Sequence, residues 1–162
     1  MLSPQDVGGW TLTCNPNTWD LRDFLAAGGG RIDGWSVQPS YRLGLIEPGQ
    51  PVYLWVTKGA ADIDSGVWAR GCVVERPQRD VPDWRWLDHE KARRTDTFLP
   101  LDLHLFELLV PRDHVRGTRG LEDLEILRSP QMSNPQVVRP AEVALLDGLI
   151  GPLADGRPRR RA

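Results

Sequence analysis

The sequence predicts an α+β domain: about five short strands and three short helices wrapped into a closed or nearly closed barrel. Two observations carry this. Strand-like runs with two-residue periodicity recur, each ending in a Pro- or Gly-containing turn. Three stretches read as short helices instead, and so many short strands with few helices favour a barrel over a sandwich. At 162 residues the chain has one domain's worth of core.

Residues 1–9 read as a flexible lead-in. Trp10 to Cys14 alternates Trp10, Leu12 and Cys14 against threonines, and Asn15-Pro16 stops the strand. Thr18 is the expected cap of a helix through Trp19 to Ala27, striped by Leu21, Phe24 and Leu25 and ended at Gly28-Gly29-Gly30. Trp35 to Gln38 is a short strand, followed by a bend over 39–46. Glu47-Pro48-Gly49-Gln50 turns the chain into a strand from Val52 to Thr57. A strand from Val67 to Glu75 follows, with Gly71 marking a bulge or a close backbone approach. Residues 77–92 form a loop holding Trp84 and Trp86. Thr97 to Leu109 alternates leucines with Asp102, His104 and Phe106. Short helical turns over 111–123 and a segment at Leu124 to Leu127 lead to a final helix from Ala141 to Ile150, with Pro140 at its first position. The chain thus divides into a lead at 1–9, a domain at 10–150 and an Arg-rich, disordered tail at 151–162.

Seven Trp is a high count for this length. A large ring with one N–H suits a pocket wall better than a generic core. Net charge is −2, but the last eight residues carry a local +3 and the rest −5. Such a body disfavours tight nonspecific binding to long duplexes, which rests on phosphate neutralisation. It disfavours less the reading of one extruded base. Cys14 and Cys72 lack a CxxC partner and read as free thiols of a reducing compartment. With no signal pattern and no long apolar run, the expectation is a cytoplasmic protein without membrane contact. His89, His104 and His114 show no ligand spacing, so no metal or other cofactor is expected. No nucleophile elbow, P-loop or dinucleotide fingerprint is present, so the expectation is a non-enzyme.

Five blocks in order resemble the EVE domain of the PUA-like superfamily, whose relatives include the YTH and ASCH domains. They are the corner Cys14-Asn15-Pro16; Trp35 followed by Tyr41 and Arg42; Gly49-Gln50 before Tyr53 and Trp55; Gly66-Val67; and the closing pattern of Leu121 to Arg128 with Arg139 to Leu149. The resemblance implies a PUA-like mixed barrel of five to six strands that recognises a modified nucleobase in DNA or RNA, or a free modified nucleotide, flipped into an aromatic cage. It implies Trp35 as a stacking wall and Asn15 and Ser36 as readers of the base edge. Tyr41, Trp55 and Trp68 are further walls, and Trp84 or Trp86 is an alternative one. Arg42, Lys58, Arg70, Arg93 and Arg94 are the expected contacts to the nucleic-acid backbone. Many relatives have Ser-Glu-Pro at the corner where this chain has Asn15, and a small residue where it has Trp68. An acid accepts from an exocyclic amine, whereas an amide both donates and accepts.

Two other readings are open. An ASCH-type hydrolase or nuclease acting on RNA or nucleosides would use Asp102 and His104, or Glu75, as acid and base. A protein-interaction domain would use the Trp-rich face and the basic tail. A monomer or weak dimer is expected.

Overall fold

The computed structural model describes residues 1–79, 87–90 and 97–151. Trp84, Trp86, Arg93, Arg94 and all of the tail after Gly151 lie outside these residues.

Among the described residues the strands are β1 (Gly9–Cys14), β2 (Arg31–Ser36), β3 (Pro51–Val56), β4 (Gly66–Val73), β5 (Gln78–Arg79), β6 (Thr97–Pro111) and β7 (Gln136–Val138). The helices are α1 (Leu21–Ala26), α2 (Arg112–Arg116), α3 (Glu125–Arg128) and α4 (Pro140–Ile150), with 3-10 turns at Pro4–Asp6 and Tyr41–Leu45. The strands form one mixed sheet in the order β2-β6-β4-β3-β1-β7, with β5 paired to β6. β1 and β3 run parallel; the other pairs are antiparallel.

The expected closed barrel is corrected here. The edge strands β2 and β7 are not paired with each other, so the sheet stays open. Just past the end of β2, however, the Gln38 N–H donates to the Asn134 carbonyl, 2.9 Å away, just before β7. The strand count rises from the expected five or six to seven through the two short strands, β5 and β7.

Both faces of the sheet are covered. On β3, Val52, Leu54 and Val56 pack with Trp10, Leu12, Trp35 and Leu99 in one layer, while Tyr53 and Trp55 pack with Val115, Leu124, Leu146 and Ile150 in another. The period of two sends alternate residues to opposite faces, and the helices after β6 close the second face. α4 starts with Pro140 at its first turn, where a missing N–H costs nothing. α1 is capped by Asp20, whose carboxylate accepts from the Asp23 N–H at 2.9 Å, rather than by Thr18. The Thr18 carbonyl instead accepts the N–H groups of Leu87 and Asp88. Residues 1–9, expected as a loose lead-in, carry the first 3-10 turn, and Leu2 and Val7 pack on the core. Gly71 is a close approach: a Cβ there would fall 1.7 Å from the Asp102 carbonyl oxygen. No described helix is long and apolar enough to cross a membrane.

Candidate nucleobase corner

The candidate site forms where the ends of β1 and β2 meet the residues before β7. The Trp35 indole N–H crosses to the Thr13 carbonyl at 3.1 Å. Asn134 completes the seam. Its Oδ1 accepts from the Thr13 N–H (2.8 Å) and hydroxyl (2.9 Å), and its Nδ2 reaches the Thr13 carbonyl at 3.4 Å. Trp35 lies tilted against Trp19, ring centroids 4.9 Å apart at 58°. Gly34 makes room for the Phe98 ring, which a Cβ would strike at 1.7 Å. Trp35 is only 7% exposed, so it frames the corner from the core side. Ser36 is half-buried at the end of β2, opposite Phe98.

Asn15 is exposed and begins an Asx turn, its Oδ1 accepting the Asn17 N–H at 2.9 Å. Asn17 in turn donates its Nδ2 to the Gly59 carbonyl at 2.9 Å. This contact draws the β3–β4 loop, with exposed Lys58, to the same corner. Among the described residues Lys58 has no ion-pair partner.

Other predicted site residues lie elsewhere. Trp55 is 3% exposed in the second layer, across the sheet from Trp35, so those two rings cannot wall one slot. A core face of Val52, Leu54 and Val56 alone would leave Trp55 turned outward, but α4 and its neighbours cover that side. Trp68 is half-buried against the first layer and donates its indole N–H to the Asp64 carbonyl at 2.9 Å. Tyr41 is 48% exposed, and its hydroxyl accepts the Leu2 N–H at 3.0 Å.

Two expected phosphate contacts are neutralised. Arg42 grips Glu125 with two nitrogens, at 2.7 and 2.9 Å. Burial pushes the Glu125 carboxyl up, but the Arg42 guanidinium and the Val137 N–H outweigh it and hold the group below its ordinary value. Arg70 binds Asp147 at 2.8 and 3.0 Å, and the Tyr53 hydroxyl donates to the same carboxylate at 2.7 Å. Desolvation, then that carboxylate, raises the Tyr53 phenol.

A polar crevice of about 160 Å3 is lined by Asp123, Glu125, Arg128, Val137, Arg139 and Glu142. None of the predicted pocket residues lines it. No group of three or more metal-ligating side chains occurs among the described residues. Sequence reasoning missed Trp19 and Asn134. Trp19 is signalled by its place three residues after the Pro16 corner, whereas Asn134 comes from 121 residues beyond Thr13 and carries no local signal.

No protein-family model and no curated protein matches this sequence. Solved structures do match in fold. A hypothetical protein from Leishmania major shares 15% identity at a TM-score of 0.60, over 89% of this chain and 94% of that one. A Pseudomonas syringae protein shares 14% at 0.58, over 86% and 97%. Human THYN1, solved in complex with DNA containing 5-methylcytosine, shares 10% at 0.55, over 85% and 95%. At these identities the likeness is one of fold alone.

Proposed function

We propose that this chain is a nucleic-acid-binding module that takes a modified nucleobase from its strand and holds it at the corner of Asn15, Trp35 and Ser36. The observation that carries this is the Trp35–Thr13 bond, which fixes an indole beside the exposed Asn15 turn. The THYN1 complex with methylated DNA, on the same fold, supports the reading. Flipping a base costs a few kcal/mol, and stacking on an aromatic ring returns about 1–3 kcal/mol per base. A methyl group adds roughly 0.8 kcal/mol of apolar burial. Tyr41, Trp55 and Trp68 drop out of the proposed pocket: the Tyr41 hydroxyl holds Leu2, Trp55 lies in the second layer and Trp68 is tied to Asp64.

Fluorescence anisotropy with matched oligonucleotides, plain or carrying one methylated base, tests the proposal. Modified strands should bind more tightly, and Trp35→Ala should abolish the difference. Equal affinities for both strands, untouched by Trp35→Ala, would refute it.

A second reading, hydrolysis, draws on the His104 Nε2 to Asp102 Oδ1 contact of 2.9 Å. The same oxygen accepts Arg31 Nε at 2.8 Å, and that guanidinium holds the Asp102 carboxyl below its ordinary value. Turnover of RNA or acylated nucleosides, lost in His104→Ala, would favour it over pure binding.

A further inference from the structure

At the corner of Asn15 and Lys58 the Asn15 oxygens and the carbonyls of Thr13, Cys14 and Gly59 are engaged internally, while the Asn15 amide and the Lys58 ammonium supply donors. The Asn15 amide is oriented by its turn, because the Asn17 N–H must meet an oxygen, so Oδ1 faces inward. Its two Nδ2 hydrogens have no partner among the described residues. The Asn15 carbonyl accepts from the Thr18 and Trp19 N–H groups. The Cys14 carbonyl accepts the Thr57 N–H and hydroxyl. The Thr13 carbonyl takes Trp35 Nε1, the Gly59 carbonyl takes Asn17 Nδ2, and Asn134 Oδ1 takes both donors of Thr13. Lys58 adds an ammonium with donors only.

We infer that this corner selects a base whose reading edge carries carbonyl acceptors in place of an exocyclic amine, with a neighbouring phosphate on Lys58. The inference rests on the base-binding reading above and narrows its ligand. An exocyclic amine brought against Asn15 Nδ2 sets donor against donor and leaves both unpaired, whereas a carbonyl completes the pair. The Ser36 hydroxyl, which donates or accepts, is neutral in the choice. Aspartate at position 15 would keep the turn through one oxygen and offer the other as an acceptor. One substitution thus inverts the polarity of the corner without dismantling it.

Two methylated pyrimidines that differ at this edge make the test. RNA oligonucleotides carrying a single 5-methyluridine or 5-methylcytidine share ring and methyl group, and only the former has a carbonyl in place of the amine. Anisotropy titrations should show the unmodified protein favouring 5-methyluridine by about tenfold, the worth of one good hydrogen bond. Asn15→Asp should reverse the order at an unchanged melting temperature. Lys58→Gln should weaken both ligands alike and lower the salt slope by about one phosphate. Preference for 5-methylcytidine by the unmodified protein, or an order untouched by Asn15→Asp, would overturn the inference and leave base binding standing. Affinity indifferent to any base modification, and to Trp35→Ala, would overturn the base-binding reading and this inference with it.

Discussion

The Trp35 indole and the Thr13 carbonyl, 22 residues apart in sequence, meet at 3.1 Å where the sheet's two edges approach. This bond holds the ends of β1 and β2 together, and the Asn134 clasp on the same residue ties β1 to the segment before β7. Trp35→Phe keeps a ring but removes the donor. It should cost about 1–2 kcal/mol through the lost bond and a small void. Urea unfolding of the two proteins measures this directly, and no loss of stability would show that the bond holds nothing.

Arg42 and Glu125 form the most buried ion pair described, with side chains 14% and 8% exposed. Removing one partner strands the other, so Arg42→Ala should cost about 3 kcal/mol or more. The pH dependence follows from Glu125. Its carboxyl titrates lower folded than unfolded, so its contribution is complete above the ordinary value of 4.5 and disappears as pH falls through the folded value. Chemical denaturation between pH 7 and pH 3 should show stability falling in the acid range, with a smaller fall in Glu125→Gln.

Thr11 and Thr13, two apart on β1, should respond oppositely to valine. The Thr11 hydroxyl is buried without a partner among the described residues. Thr11→Val should therefore leave stability unchanged or raise it by up to about 1 kcal/mol. The Thr13 hydroxyl donates to Asn134, so Thr13→Val should lose about 1 kcal/mol. Melting curves of both variants compare the two directly.

The two thiols differ in the same way. Burial pushes Cys14 up to about 12, whereas Cys72 is half-exposed. A disulfide reagent at pH 8 should label one thiol per folded chain and two in denaturant. Rapid labelling of Cys14 in the folded protein would contradict its burial.

Much of this arrangement is legible from local pattern. The alternation of Trp10, Leu12 and Cys14, the Pro140 helix start and the turn at Gly49 all appear where the residues predict them. β7 escapes notice because three residues after a proline show no period. The covered face of β3 escapes because the helices that seal it come far later in the chain. At the site, Asn15 and Trp35 announce themselves by corner and aromatic ring. Arg42 and Arg70 look like free cations because their carboxylates lie 83 and 77 residues away.

The pairing of β1 with β7 bears on how the molecule is made. A ribosome delivers Gly9–Cys14 well before Gln136–Val138, so one flank of β1 waits unpaired while the intervening residues are made. A polypeptide cut short before Gln136 would keep that flank open for good, primed to pair with any neighbour carrying the same edge.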